Sequence, residues 1–163
     1  SFYVALFRGT PMVVQLLVFY YVLLPIMGIR TSGEVVAMAV FGLNSGAYIS
    51  EIMRSGIQSV DAGQLEAGRA VGLSFSVSMV KIVIPQAVKN ILPTLGNEFI
   101  SLIKETSIVS FVGAADLYVA FSYIGSNSYE FMVPYLVMAL IYIVLVLIIS
   151  LLVKIIRKEP EKE

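Results

Sequence analysis

The sequence contains no cysteine, no histidine and no tryptophan, and only 13% of its 163 residues are charged. Without cysteine there is neither a disulfide framework nor thiolate chemistry. Without histidine the chain lacks the commonest general base and the commonest metal ligand. Basic and acidic residues number 11 each, and this zero net charge gives no reason to expect a nucleic-acid partner. These absences leave few residues from which a catalytic or metal site could be built.

Apolar residues, in contrast, are in excess. They make up 58% of the chain, and the mean hydropathy is +0.91. Soluble domains are usually about 45–50% apolar and about 25% charged. The additional apolar surface must therefore face something other than water, and we expect an integral membrane protein in contact with the lipid bilayer.

Four apolar stretches are long enough to be membrane spans. Residues 11–29 and 131–153 contain no charge, and residues 35–50 lie uncharged between two glutamates. A hydrocarbon core of about 30 Å needs roughly 20 helical residues. A fourth stretch, 91–112, is interrupted by charged residues, but a crossing there gives the flanking segments a consistent charge bias. The sequence predicts an all-α membrane protein with spans at about 11–29, 35–53, 91–112 and 131–153.

The basic residues favour one orientation of these spans. Cytoplasmic loops carry the excess of Lys and Arg. Four crossings leave only Arg30 on the external side, and the loops there are expected at about 28–34 and 113–130. Both visible ends are then cytoplasmic. The residues on that side are Arg8, Arg54, Arg69, Lys81, Lys89, and Lys154, Arg157, Lys158 and Lys162 of a charged tail.

The loop at about 54–85 is the longest polar segment between spans. Asp61 is suited to cap a helix by accepting from the Gln64 amide. Gly72 is suited to a left-handed C-cap. The loop is therefore predicted to contain a short cytoplasmic helix from about residue 62 to residue 71.

A spaced motif lies within this loop. It reads Glu-Ala-Gly-Arg-Ala-Val-Gly from Glu66, then nine residues, then Ile-Val-Ile-Pro ending at Pro85. This resembles the cytoplasmic signature of ATP-binding cassette importer permeases: Glu-Ala-Ala, three residues, Gly, nine residues, Ile, any residue, Leu, Pro. The spacing agrees throughout, and the two departures, Gly68 for Ala and Ile84 for Leu, are mild.

Further blocks resemble the polar amino acid branch of these permeases, over about residues 8–117. Members have five spans with an external amino terminus, so the resemblance implies that the first span is absent here. The blocks, in order, are Arg8-Gly9-Thr10-Pro11 with Gln15, residues 47–52 with 54–57, Gly63-Gln64, Pro85-Gln86-Ala87, Pro93, Asn97-Glu98-Phe99, and Lys104-Glu105-Thr106-Ser107.

The resemblance also implies a mechanism and partners. In this family the short helix is a coupling helix that docks on a separate ATPase, which binds ATP and Mg²⁺. This chain has no Walker-type loop of its own. The other expected partners are a second permease copy or a paralogue, an extracellular substrate-binding protein and the amino acid cargo, at the bacterial plasma membrane. The coupling residues it implies are Glu66, Ala67, Gly68, Gly72 and Pro85.

Polar residues inside the spans are candidates for the substrate pathway. Asn44, Tyr48 and Glu51 form one helical stripe with Ser55. Such a stripe should face protein or water. It indicates either the lining of a substrate route or polar packing between helices. Glu51 is also placed to pair with Arg54, with Arg69 or with a lipid headgroup.

Charged residues in the third span are stronger candidates. Lys104 and Glu105 are neighbours and point about 100° apart, so one partner cannot receive both. We expect Glu105 to face the pathway, since Ser101 and Glu98 precede it on the same side. A carboxylate there would hold the amino group of the cargo. The alternative is a structural ion pair, with Asp116 or with another subunit.

Backbone features near this site have two interpretations each. The hydroxyls of Thr106 and Ser107 are placed either to bond backbone carbonyls or to reach the cargo carboxylate. Pro85 and Pro93 each remove an amide and are expected to kink or break the helix. Such breaks suit a gate, but they also suit a fixed bend.

Two other functional classes compete with a permease. An ion channel would use Lys104 and Glu105 to line a pore, but a channel has no need for the long spaced motif. An intramembrane enzyme has almost no candidate chemistry without His or Cys. The sequence therefore favours a permease over both, and over an enzyme of any kind.

Overall fold

The computed structural model describes residues 1–158, and every regular element in that range is helical. The predicted charged tail continues beyond it, and Lys162 lies outside the described residues. Within residues 1–158, seven helices follow one another. They are α1 (Phe2–Gly9), α2 (Met12–Ile26), α3 (Gly33–Gln58), α4 (Ala62–Ala70), α5 (Phe75–Val112), α6 (Leu117–Ser128) and α7 (Met132–Lys158).

Three of the described helices are long and apolar enough to cross a membrane: α3, α5 and α7. The pair α1 and α2 passes the same test together, with a bend of 106° between them, and makes a fourth. The all-α fold with four visible transmembrane helices is confirmed. Helix α7 leaves most of its described apolar side chains exposed, which suits contact with lipid because lipid tails are as apolar as these side chains.

The bend between α1 and α2 lies at Thr10 and Pro11 and is held by buried amides. The Gln15 side-chain nitrogen donates to the carbonyl oxygens of Phe7 at 2.8 Å and Thr10 at 3.0 Å. Asn44 of α3 donates to the same Phe7 carbonyl at 3.2 Å and to Gln15 Oε1 at 2.9 Å. Because a bent backbone in a membrane must find internal partners for its carbonyls, these two side chains make the bend possible.

Helices α3 and α5 run antiparallel and approach most closely at two glycines. A Cβ at Gly33 would overlap the carbonyl oxygen of Val112, and one at Gly56 would overlap the Ile91 side chain. At the first of these contacts lies the apolar core, in which α2, α3 and the end of α5 meet. Its buried members are Leu16, Val36, Ala37, Val40 and Val112.

Of the kink or break expected at Pro85 and Pro93, the break is absent, since residues 75–112 form one continuous helix. Pro85 follows a π-helical turn, Met79–Val83, and Pro93 lies inside regular α-helix. In the π turn the Ile84 N–H bonds the Met79 carbonyl, five residues back. The wider turn leaves room for the proline ring, which would otherwise clash with the preceding turn.

Two helices were not predicted from the sequence. Helix α1 precedes the first predicted span, and α6 occupies most of the segment 113–130 expected to be a loop. The side chain of Asp116 caps α6 by accepting from the Val119 N–H at 2.8 Å. Helix α6 then packs on α7, with Tyr118 and Tyr135 stacked at 6.5 Å. An N-terminal cap before an apolar run was the signal for this helix.

Candidate functional site

Helix α4, the predicted coupling helix, is defined by its two caps. Asp61 accepts from the Gly63 N–H at 2.7 Å, so the bond predicted to Gln64 is made one residue earlier. At the other end Gly72 has φ +90°. The Gly72 N–H bonds the Arg69 carbonyl at 3.0 Å, and the Leu73 N–H bonds the Gly68 carbonyl at 3.1 Å. This pair of bonds is a Schellman motif, and its left-handed residue strongly favours glycine.

The small residue in the motif, Gly68, faces its own chain. It is buried, and a Cβ there would lie 2.8 Å from Ser78 Oγ and 2.9 Å from Ile82 Cδ1. Gly68, which the resemblance includes among the coupling residues, is therefore covered by its own chain and not open to a partner. It admits the start of α5, and this contact fixes the direction of α4. Pro85, one turn further along α5, is exposed and shapes the helix after the π turn.

The opposite face of α4 is open. Glu66, Ala67 and the end of the helix at Val71 are exposed, Val71 by 78%. Phe75, the first residue of α5, adds a further exposed apolar side chain. One carboxylate beside small and apolar groups therefore projects from the segment between α3 and α5.

Four of the predicted pathway residues line a single cavity of about 290 Å³, here termed the acidic cavity. Asn44 and Tyr48 enter it from α3, and Ser101 and Glu105 from α5. Glu98 also lines the cavity, on the same helical stripe as Ser101 and Glu105. Residues 10–12 at the bend close the cavity. Among the residues that the structure describes, its lining includes two carboxylates and no lysine or arginine.

Asn44 takes part in polar packing between helices and also borders a cavity. Its amide nitrogen is committed to Phe7 and Gln15, and only 3% of the residue is exposed. It nevertheless forms part of the acidic-cavity wall. The polar stripe of α3 thus supports the bend between α1 and α2 through the Asn44 amide, and it also borders the acidic cavity.

A second cavity, of about 810 Å³ and here termed the basic cavity, lies further along the same helix pair. It is lined by Arg8 of α1, Tyr48, Glu51 and Arg54 of α3, and Lys89 of α5, together with serines and an asparagine. Glu51 is paired rather than free: its carboxylate accepts from Arg54 Nε at 3.1 Å and lies 3.4 Å from Arg8 Nη1. The predicted pairing of Glu51 with Arg54 is therefore present.

The remaining predicted pathway residues lie outside both cavities. Lys104 is exposed, and so is Thr106, whose hydroxyl donates to the Ile103 carbonyl at 2.7 Å. The Ser107 hydroxyl donates to the Lys104 carbonyl at 3.1 Å. Of the two interpretations for these hydroxyls, the structure shows the backbone bonds. Lys104 lies outside the acidic cavity that Glu105 lines, as expected because neighbouring residues on a helix point in different directions.

Residues 1–161 match the family described as the binding-protein-dependent transport system inner membrane component. The match extends over nearly the whole sequence. The chain belongs to this permease family. The assignment confirms the resemblance seen at the spaced motif, the inner-membrane location and the prediction that this chain is a transport component rather than an enzyme.

Similar proteins place the permease in the amino acid branch of the family. A Rickettsia conorii protein described as the glutamine transport system permease GlnP is 42% identical over 159 residues, 98% of this chain and 73% of that protein. The arginine transport system permease ArtQ of Bacillus subtilis is 39% identical with the same coverage. A chain in a crystal structure of an amino acid ABC transporter with histidines matches with a TM-score of 0.89 and 43% identity, covering 96% of this chain and 72% of that one.

Two residues of the permease's cavities were not assigned from the sequence. Glu98 was noted beside Ser101, and its spacing of seven residues from Glu105 was the signal that both share one wall. For Arg8 the sequence predicts only a cytoplasmic position. Its contact with Glu51 arises from the 106° bend, which no local pattern predicts.

Proposed function

We propose that this permease moves a polar amino acid across the membrane and binds its cationic group in the acidic cavity. The observation that carries the proposal is the pair Glu98 and Glu105 on one wall of the cavity between α3 and α5. Carboxylates inside a membrane are costly and are retained where they serve a pathway. Ser101 and Tyr48 supply hydroxyls at the same cavity for the polar remainder of the cargo.

The charge of the cavity favours one class of cargo. Two carboxylates and no basic side chain in the lining favour a ligand with more than one cationic group. Hydrogen bonds to charged groups are stronger than neutral ones. Arginine, with an ammonium and a guanidinium, uses both carboxylates, whereas glutamine uses one. The acidic cavity therefore favours arginine over glutamine.

Helix α4 is proposed to transmit the energy. Its outer face carries Glu66, Ala67 and Val71 into solvent, while Gly68 seats it on α5. A partner ATPase that binds ATP and Mg²⁺ would receive this face in a groove. Movement of the docked helix then passes to α5 through Ser78 and Ile82, so that the cavities open to each side in turn.

The proposed assembly follows from this arrangement. Helix α4 faces the cytoplasm with the ATPases, and both described ends of the chain are on that side, as the basic residues favour. A second permease copy or a paralogue completes the membrane part. An extracellular binding protein delivers the cargo to the side bounded by residues 28–34 and by α6.

The test is reconstitution of the permease with its ATPase and binding protein in liposomes. ATP-dependent accumulation of labelled L-arginine, with ATP hydrolysis stimulated by the loaded binding protein, is expected. An ion channel instead predicts ATP-independent currents and no accumulation. Cargo flux at the same rate with and without ATP would overturn the importer function.

The docking role is tested separately with Glu66. The variant Glu66→Lys should reduce recovery of the ATPase with the purified permease, since a carboxylate on the exposed face is replaced by the opposite charge. Glu130→Lys is the control for charge reversal away from α4: the Glu130 carboxylate accepts from the Val133 N–H at the start of α7, far along the chain from α4. Equal ATPase recovery in both variants would remove α4 from the interface.

A further inference from the structure

The two cavities share one residue, Tyr48, which lines both. The acidic cavity lies between the middle of α3 and the second half of α5. The basic cavity lies towards the end of α3 that leads into α4. Tyr48 therefore stands at the boundary between the proposed cargo site and the wider cavity beyond it.

Contacts from α1 hold the Tyr48 ring in this place. The guanidinium carbon of Arg8 lies 5.3 Å from the centre of the Tyr48 ring. Arg8 Nη1 is also 3.4 Å from Glu51 Oε2, one turn further along α3. Arg54 holds the same carboxylate from the other side. Arg8, Tyr48 and Glu51 thus form one unit, here termed the clasp.

The clasp is built from contacts that open at low cost. The Arg8 side chain is 43% exposed, and partly exposed ion pairs and cation–π contacts are individually weak. The Asn44 and Gln15 bonds to the Phe7 carbonyl hold the α1 backbone at the 106° bend. Rotation of the Arg8 side chain away from α3 is enough to withdraw it from both contacts and release the ring.

We propose that the clasp is the gate on the α4 side of the acidic cavity, closed in this structure, and that its opening joins the two cavities. The inference rests on the proposed function, in that a gate presupposes cargo in the acidic cavity. A cation held by Glu98 and Glu105 faces a positively charged side chain, Arg8, beyond Tyr48. This opposes leakage of a cationic cargo until the clasp opens.

The absence of cysteine from the sequence permits a direct accessibility test. Ser101→Cys places a thiol in the acidic cavity, and Ser55→Cys places one in the basic cavity. The complete transporter is labelled without nucleotide, in inside-out vesicles, by a membrane-impermeant methanethiosulfonate reagent. The Ser55→Cys thiol should label rapidly and the Ser101→Cys thiol slowly.

Substitutions that open the clasp should change only the labelling rate of the Ser101→Cys thiol. Tyr48→Ala or Arg8→Gln should speed labelling of the Ser101→Cys thiol by about tenfold or more, because the weak contacts that hold the ring are lost. Tyr48→Phe retains the ring and should label as the parent does. Lys89→Gln is the matched charge control, since Lys89 lines the basic cavity outside the clasp.

Each other outcome contradicts the gate. Rapid labelling of the Ser101→Cys thiol with the clasp intact would show that the clasp does not close the acidic cavity. Slow labelling of this thiol in both clasp variants would show that another part of the protein blocks the reagent. The two variants are independent, so a variant that fails to assemble leaves the other to decide. The labelling experiment needs no cargo, so it is independent of the uptake assay. The predicted labelling rates in a transporter without ATP-driven uptake would refute the importer function but not the gate. Labelling of the Ser55→Cys thiol only from the opposite side of the membrane would refute the proposed orientation.

Discussion

The acidic and basic cavities are formed by the same two helices yet differ in charge and in neighbours. The acidic one contains Glu98 and Glu105 and is closed by the bend at residues 10–12. The basic one contains Arg8, Arg54 and Lys89 around a single carboxylate and lies at the end of α3 that leads to α4.

The difference in charge between the two cavities indicates that the two ends of the α3–α5 pair have different functions. Two carboxylates without a basic partner in the lining suit recognition of a cationic group. The other end adjoins the exposed helix that a partner would move. Changes at the acidic end should therefore alter cargo affinity, and changes at the α4 end should alter coupling to ATP.

The largest effect is expected from removing the charge of the acidic cavity. In the double variant Glu98→Gln and Glu105→Gln, uptake of labelled L-arginine should fall about a hundredfold or more. Hydrogen bonds to charged groups contribute about 1.5–3 kcal/mol each, and about 1.4 kcal/mol is a factor of ten. Unchanged uptake, in a variant that assembles with its ATPase, would show that these carboxylates do not contact the cargo.

The next effect concerns Gly72 at the opposite end. Gly72→Val forces a β-branched residue to φ +90°, so the turn after α4 must rearrange. Uptake should fall about tenfold while ATP hydrolysis continues, a loss typical of one coupling interaction. Gly72→Asn is the control, since asparagine tolerates the left-handed region better. Coupled uptake at the parental rate in Gly72→Val would dismiss the role of the turn.

A third change tests what supports the acidic cavity. Asn44→Ala leaves Gln15 Oε1 without this donor and the Phe7 carbonyl with one donor fewer. The unfolding free energy should fall by about 1–3 kcal/mol, measured as a lower melting temperature in detergent. Ser45→Ala is the neighbouring control, because the Ser45 hydroxyl has no hydrogen-bond partner among the described residues. Equal melting temperatures for the two variants would show that the amide network does not hold the bend.

The smallest effects are expected beside the cavity. Lys104→Gln and Thr106→Val should each leave uptake within about twofold, as exposed groups with no cavity contact usually do. Uptake by these two variants is compared with uptake by Glu105→Gln, so that adjacent positions of one helix are tested together. A loss in Lys104→Gln as large as that in Glu105→Gln would mean that the charge pair, not the acidic wall, serves the cargo.

Local features of the fold were predictable from the sequence. Asp61 and Gly72 marked both ends of α4, because caps depend on residues a few positions apart. The Glu98, Ser101 and Glu105 stripe was visible from helical periodicity. The spaced motif and the polar blocks indicated the family, because they are fixed by residue type and spacing along the chain alone.

Features that depend on distant contacts were not predictable in this way. The 106° bend at residues 10–12 exists because Gln15 and Asn44, 29 positions apart, meet at it. The bend alone brings Arg8 to Tyr48 and Glu51. Gly68 was expected to serve a partner, yet Ser78 and Ile82 of the same chain occupy the space beside it.

The most direct test of the division between the two ends is arginine binding to the assembled transporter without its binding protein. Isothermal titration with L-arginine would compare the parent with Glu105→Gln and Gly72→Val. We predict that Glu105→Gln weakens binding about tenfold or more, the loss of one charged hydrogen bond, while Gly72→Val binds as the parent does. Undiminished binding by Glu105→Gln, or an equal loss in Gly72→Val, would contradict the assignment of cargo to the acidic cavity.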